Sequence, residues 1–227
     1  MTELRDISIE KDYTTMSLSS VLYTSGETKV LITTSVSDFL PRWLVGENYG
    51  WVTAEYSMLP RATLTRTTRE RGTSSGRSHE ISRLVGRSLR AVVDFSELGE
   101  RTLTVDCDVI QADAGTRTAA ITGAWVALRL ACSRLLNQGQ LIQDPINAQV
   151  AAVSVGLKNG TPLLDLDYSE DSRADVDLNV VMAANDSLLE LQGTAERAPF
   201  NRTQLNKMLD LAEGGLQQLH ASQRAHL

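Results

Sequence analysis

The sequence predicts an α+β protein with mixed or antiparallel sheets and helices packed on them. Three observations carry that expectation. Short β-rich runs are joined by tight-turn signals, Ser25-Gly26-Glu27 and, more strongly, Asn159-Gly160. Stretches with apolar residues at helical spacing follow the strands. The order of strands and then helix occurs twice, so a structural duplication is expected within a single domain of residues 1–227, with halves at about 1–140 and 141–227.

Residues 16–23 and 29–36 form the first hairpin. Leu40-Pro41-Arg42-Trp43 breaks the pattern, and Asn48-Tyr49-Gly50 leads into a strand at 51–56. Residues 60–76 are polar, rich in threonine and arginine, and without period, which makes them a surface loop. Its length exceeds that of most connectors and favours a functional role. A helix starts at His79, carries Ile81, Leu84, Val85, Leu89, Val92 and Val93 as its apolar stripe, and stops at Leu98-Gly99. A strand at 101–110 places Leu103, Val105, Cys107 and Val109 on one face and feeds a helix of small residues that ends near Asn137-Gln138-Gly139. In the second half, 148–157 and 163–168 flank Asn159-Gly160, and 178–183 and 188–192 flank Asn185-Asp186. Asn201 caps a last helix through about Leu219, with Leu205, Met208, Leu209, Leu211 and Leu216 on its core side.

An apolar fraction of 42% and a charged fraction of 22% are ordinary for a soluble globular chain. No apolar run approaches the roughly 20 residues of a membrane span, and no export signal is evident, so no membrane partner is expected. Cys107 and Cys132 fall inside a strand pattern and a helix pattern, where they act as small buried hydrophobes in a reducing compartment. The expected location is therefore cytoplasmic. A net charge of −6 argues against all-over attraction to nucleic acid. The charges are unevenly spread, however: eight arginines (61, 66, 69, 71, 77, 83, 87, 90) stand against Glu70 and Glu80 between Arg61 and Arg90, while residues 165–177 hold six carboxylates against Arg173 alone.

The strand-to-helix junction Gln111-Ala112-Asp113-Ala114-Gly115-Thr116-Arg117-Thr118 is the first candidate site. The leading amides of a helix have no intrahelical acceptor and point along the positive end of its dipole. Gly115 admits a ligand close to the backbone, Thr116 adds a hydroxyl, and Arg117 adds a planar cation suited to phosphate. The alternative is that Asp113 caps a core helix and Arg117 pairs with a carboxylate. Arg77, just ahead of the preceding helix, gains meaning only if it converges with Arg117 on one anion.

In Leu164-Asp165-Leu166-Asp167-Tyr168, strand alternation throws Asp165 and Asp167 to one face, with Asp171 and Asp177 near the ends of neighbouring strands. Such a group suits magnesium, which prefers one or two carboxylates plus water and substrate phosphate; the alternative is a solvated acidic turn. Arg61, Arg66, Arg69 and Arg71 suit the phosphates of a single nucleic-acid strand, unless the loop simply lacks a partner. His79, His220 and His226 show no metal-ligand spacing. Phosphate motifs of the GxGxxG and Walker A kinds and a nucleophile elbow are all missing.

Several long blocks are shared, in order, with one family. They include Gly50-Trp51-Val52-Thr53-Ala54-Glu55-Tyr56, Met58-Leu59-Pro60-Arg61, Gly86-Arg87-Ser88-Leu89-Arg90-Ala91, Asp106-Cys107-Asp108-Val109-Ile110-Gln111-Ala112-Asp113 and Gly115-Thr116-Arg117-Thr118. Glu170-Asp171-Ser172, Asn179-Val180-Val181-Met182 and Gln192-Gly193-Thr194-Ala195-Glu196 continue the match, which runs from about residue 4 to residue 222. The sequence thus resembles the ribonuclease PH family of phosphate-dependent 3′-to-5′ exoribonucleases. The resemblance implies two fused βαβα-type halves assembled as a homohexamer, a trimer of dimers. It implies a nucleotidyltransferase that uses inorganic phosphate and Mg2+ to release nucleoside diphosphates from tRNA precursors, with ribosomal RNA a further candidate substrate. Phosphate would be bound by Arg77, Gly115, Thr116 and Arg117. Asp171 and Asp177 would serve the metal and acid–base chemistry, and Arg61, Arg66 and Arg69 would hold RNA. A non-catalytic RNA-binding subunit of an RNA-degrading ring is the alternative.

Three departures from the family pattern stand out. An opening Arg-Pro-Asp-Gly-Arg segment is missing, which bears on N-terminal contacts. The loop between Arg69 and Arg77 is about two residues shorter, and Ala114 replaces a glycine, which matters if that position needs a positive φ.

Overall fold

The protein is described here from a computed structural model that covers residues 3–69 and 76–227. The family-pattern difference between Arg69 and Arg77, together with Arg71, falls in or across 70–75 and so lies outside the described residues.

Alternating apolar residues and tight turns build the first sheet. β1 (Ile7–Lys11), β2 (Ser19–Ser25) and β3 (Thr28–Ser37) form an antiparallel meander; the short β1 was not anticipated from the sequence. β4 (Trp51–Met58) is followed by α1 (Gly76–Arg90), α2 (Phe95–Leu98) and β5 (Thr102–Gln111). The order across the sheet is β1-β2-β3-β5-β4. β4 lies parallel to β5 because a helical crossover joins them, whereas β3 pairs with β5 antiparallel. The edge strand β4 is covered by α1, and Ser82 Oγ accepts the Tyr56 N–H at 2.9 Å.

α1 begins three residues before the expected His79 and ends at Arg90 instead of Leu98. Beyond Arg90 the chain is held by the linker: Asp94 N–H donates to Pro145 O, Asn147 N–H donates to Val92 O, and Val93 bridges Ile146. Asp94 then caps α2 by accepting the Ser96 and Glu97 amides at 2.9 and 3.4 Å. Val92 and Val93 are buried, as the stripe implied, but in a turn.

α3 (Thr116–Asn137) has the length and apolarity of a membrane-crossing helix, which corrects the expectation that no such run exists. It packs against β2, β3, β5 and α1 on one side and β6 on the other, so its apolar surface faces protein. A Cβ at Gly123 would lie 2.3 Å from Ile32 Cδ1 and 2.8 Å from Tyr23 Cβ, so the glycine lets helix and sheet approach.

The second sheet, in the order β7-β6-β8-β9, comprises β6 (Val150–Lys158), β7 (Thr161–Leu164), β8 (Val176–Ala183) and β9 (Leu188–Ala195), all antiparallel. Asn159 and Gly160 take φ of 50° and 78°, the two left-handed positions of a tight hairpin turn. Residues of β6 alternate between two cores: Val150 and Ala152 face the cluster around α3, while Ala151, Val153, Val155 and Leu157 face α5 (Arg202–Ala225). Between β7 and β8 lies a single helical turn, α4 (Tyr168–Asp171).

α5 opens with a capping box between Asn201 and Gln204 and runs past the expected Leu219. Its extra turns are docked by buried polar groups, which interrupt the apolar period that sequence reading follows. Gln223 Nε2 donates to Thr122 O and Val150 O, both at 2.9 Å. Cys107 and Cys132 are both buried free thiols, each pushed up chiefly by burial.

Gly123→Ala is expected to lower the unfolding free energy by about 1–3 kcal/mol through overpacking, despite a helix-propensity gain of about 1 kcal/mol; urea denaturation measures the balance. Ala114 sits at φ 58°, a left-handed conformation that costs an L-residue roughly 1–2 kcal/mol. Ala114→Gly relieves it, against about 0.4–1 kcal/mol of added unfolded-state freedom. A melting temperature higher by about 2–4 °C per kcal/mol gained is expected in a thermal scan.

Candidate active site

Gly115 is the N-cap of α3, at φ 60°, and no side chain caps the helix. Asp113 does not cap it: its Oδ1 accepts the Tyr168 N–H at 3.0 Å, at the start of α4. The turn is instead shaped by Thr28, whose Oγ1 donates to Ala114 O at 2.7 Å and accepts the Asp113 N–H at 2.9 Å. Among the described residues the leading amides of α3 thus meet no side-chain acceptor, which is what an anion site needs.

Four elements converge on this point. Thr116 Oγ1 is 2.8 Å from the Tyr56 hydroxyl of β4, deep in the structure. Arg117 Nη1 donates to Gln192 Oε1 of β9 at 2.6 Å and lies 3.5 Å from Glu80 Oε1 of α1, while Gln192 Nε2 donates to Glu80 at 2.9 Å. Arg117 therefore does contact a carboxylate, as the alternative reading held. Its shorter bond, however, goes to a neutral amide, and Glu80 is half exposed. Arg77, in the first turn of α1, is exposed, with no ion-pair partner among the described residues.

The charge of Arg77 acts on two groups that the charge of Arg117 also reaches. Burial pushes the Tyr56 phenol up, and Thr116, Arg77 and Arg117 pull against it. Burial likewise raises Asp171, with Arg77 and Arg117 opposing. Asp177, in β8, is raised by burial and then by Asp171, while Arg117 and the Asn179 amide at 3.1 Å favour its charged form. Arg77, Thr116, Arg117, Asp171 and Asp177 therefore occupy one electrostatic neighbourhood around the Gly115 turn.

The acidic segment divides by role. Strand β7 stops at Leu164, and Asp165 turns inward at φ 48° to become buried, so Asp165 and Asp167 do not share a strand face. The cause is Arg5: its Nη2 donates to Asp165 Oδ1 at 2.7 Å. Asp167 caps α4 by accepting the Glu170 N–H, and Asp175 accepts the Asn159 N–H. Asp171 and Asp177 remain as the half-buried pair. Among the described residues no three His, Cys, Asp or Glu groups stand together as a metal cluster. Two carboxylates raised by burial, one by the other's charge as well, fit a divalent ion that takes its remaining ligands from water and substrate phosphate.

Arg61, Arg66 and Arg69 are exposed on the loop after β4. Arg61 Nη1 donates to Leu64 O at 2.7 Å. The root of the loop is tied to the strand that leads into the cradle, by Leu59 N–H to Val109 O and Ala112 N–H to Ala62 O. Beside the cradle, Gly76, His79, Arg83, Arg87, Glu190 and Gln192 line an open cleft of about 450 Å³. Sequence reasoning did not assign site roles to Tyr56, Gln192 or Arg5. Their only sequence signal was the presence of the first two in blocks shared with the family.

Residues 3–133 match domain 1 of the 3′ exoribonuclease family, and residues 148–215 match domain 2. The ribonuclease PH of Parasynechococcus marenigrum (strain WH8102) is 62% identical over 223 residues, 98% of this chain and 90% of that protein. The ribonuclease PH of Prochlorococcus marinus (strain MIT 9313) is 60% identical, covering 99% and 92%, and that of Crocosphaera subtropica is 54% identical, covering 99% and 94%. Among solved structures, the Archaeoglobus fulgidus exosome with RNA bound to the active site superimposes with a TM-score of 0.82 at 20% identity, covering 97% of this chain and 89% of that one. An archaeal exosome core does so at 0.78 and 18% identity, covering 98% and 88%; both are likenesses of fold. With both family domains matched, and relatives this close along nearly its whole length, the chain belongs to the ribonuclease PH family.

Proposed function

We propose that this phosphorolytic 3′-to-5′ exoribonuclease, a nucleotidyltransferase acting on transfer RNA, holds inorganic phosphate between Arg77 and Arg117, at the Thr116 hydroxyl and the uncapped amides behind Gly115. The observation that carries the reading is the geometry at the head of α3, where left-handed Gly115 sets the helix amides beside the Thr116 hydroxyl and the Arg117 guanidinium, with the charge of Arg77 acting on the same Tyr56 and Asp171 as that of Arg117. Phosphorolysis must bring one anion against another, and the repulsion has to be met by fixed positive charge and alignment. Gln192 and Glu80 hold the Arg117 guanidinium in place from two other elements. Either hydroxyl can donate in the Tyr56–Thr116 hydrogen bond; when the buried phenol donates, the Thr116 proton is left for the phosphate.

In the reaction a phosphate oxygen bonds to the terminal phosphorus, the bond from that phosphorus to the neighbouring 3′-oxygen breaks, and the 3′-oxygen takes a proton. One of Asp171 and Asp177 is suited to supply it, because burial raises the proton affinity of both and the charge of Asp171 raises that of Asp177 further. The same two carboxylates would hold Mg2+, which when bound neutralises charge on the phosphate oxygens. The products are a nucleoside diphosphate and an RNA one residue shorter. Arg61, Arg66 and Arg69 lie outside the cradle and suit the phosphates of the RNA strand leading to it. The proposal extends to a cytoplasmic homohexamer. Exposed Phe39, Trp43, Val45 and Tyr49 supply apolar surface for subunit contact, and two buried free thiols suit a reducing compartment. A non-catalytic subunit is not favoured, since the aspartate pair and Gly115-Thr116-Arg117 are all present.

Incubated with a 3′-tailed transfer RNA and magnesium, the protein is expected to release nucleoside diphosphate only when phosphate is added; monophosphate, or no release, would contradict the proposal. Arg117→Ala should lower turnover on the order of a hundred- to a thousandfold while far-ultraviolet circular dichroism stays native. Asp171 and Asp177 have folded pKa values above their unfolded ones. Their stability contribution is therefore fullest below the unfolded pKa and is lost as pH rises through the folded one. Asp177→Asn should thus raise the melting temperature at neutral pH while removing most activity, and the gain should vanish near pH 4, about where an unfolded aspartate protonates.

A further inference from the structure

Arg5 lies far from the cradle in sequence, yet its side chain is only 8% exposed. Its guanidinium joins three segments. Nη1 donates to Asp113 O at 2.6 Å, and Nη2 donates to Asp165 Oδ1 at 2.7 Å. The Arg5 backbone N–H and the Ser25 hydroxyl both donate to Asp165 Oδ2 at 3.1 Å. A Cβ built on Gly115 would stand 3.0 Å from Arg5 Nη2 and 3.8 Å from Asp165 Oδ1, so the ion pair sits directly behind the cradle glycine.

We infer that Arg5, locked to Asp165, is a positioning residue that sets the phosphate cradle at the head of α3 against the α4 turn bearing Asp171. The inference rests on the phosphorolytic reading above. Asp113 is the shared link: Arg5 holds its carbonyl while its carboxylate accepts the Tyr168 N–H that opens α4. The two consecutive left-handed residues Ala114 and Gly115 follow at once, in a backbone conformation that persists only where its surroundings fix it. Asp165 is likewise left-handed and buried, one residue after β7 ends. Arg5 and Asp165 back onto the Gly115 turn, and both are taken up by their own bonds to Asp113, to Ser25 and to each other. Their shared geometry decides where Thr116, Arg117 and Asp171 stand relative to one another, and a displacement of about 1 Å in such a set can cost on the order of a hundredfold in rate.

Removing one partner alone would strand a buried charge, so the informative variant removes both: Arg5→Met with Asp165→Leu. Arg5→Lys is the milder companion, since it keeps the charge and reach to Asp165 but cannot bridge to Asp113 O as a fork. Each is assayed well below its melting temperature, varying phosphate and 3′-tailed transfer RNA separately. The expected result is a KM for phosphate raised at least about tenfold, or kcat lowered by about a hundredfold, with the KM for RNA unchanged. A general loss of structure would move both KM values together. If either folded variant turns over with native kcat and native phosphate KM, the inference is overturned, and should the double variant not fold, the lysine variant decides. The unaltered protein controls the underlying reading: absence of phosphate-dependent nucleoside diphosphate there would overturn phosphorolysis itself.

Discussion

The constraint on which the rest depends is the burial of α3 between the two sheets. Its small residues allow β2, β3 and β5 to approach from one side and β6 from the other, and Gly123 removes the Cβ that would collide with Ile32 and Tyr23. A helix held on both sides has a fixed N-terminus. Because that end carries Thr116 and Arg117, uncapped by any side chain among the described residues, the fold aims a rigid set of donors at one point. Residues from α1, β4, α4, β8 and β9 then need only surround it.

Several choices at this point work against stability and make sense only as function. Ala114 takes a left-handed conformation, and Asp171 and Asp177 are half buried with raised affinity for protons. Left alone, two neighbouring carboxylates repel; beside a phosphate and a divalent ion they become useful. The buried Arg5–Asp165 pair is an ionic contact whose attraction is largely offset by the cost of taking both charges out of water. Its value lies in geometry, because a charged fork with directed hydrogen bonds fixes orientation in a way that aliphatic contacts do not.

Much of this was legible in the sequence because it arises from local rules. Asn159-Gly160 forms its hairpin, Asn201 caps α5, and the strand into Gly115 feeds the helix. The weight of Arg77 hung on its meeting Arg117 at one anion, and the charges of both arginines act on Tyr56 and Asp171. What escaped was set by distant partners. Asp165 looked like one of two outward carboxylates until Arg5, 160 residues away, turned it inward. Val92 and Val93 kept a helical period but were taken by a turn anchored at 145–147. Gln192 gave no sign of clamping Arg117, since a glutamine on an edge strand has no period or motif to betray it. The small residues of α3 read as a helix but not as a run of membrane-spanning length, and packing on both sides accounts for its uniform apolarity.

The central claim is that one phosphate binds between two guanidiniums contributed by different helices. A crystal structure of the protein grown with inorganic phosphate tests it most directly. The account predicts a tetrahedral anion in contact with Arg77, the Thr116 hydroxyl and Arg117, with the Gly115 turn at its back. Phosphate bound elsewhere, with those three side chains making no common contact to it, would contradict the account.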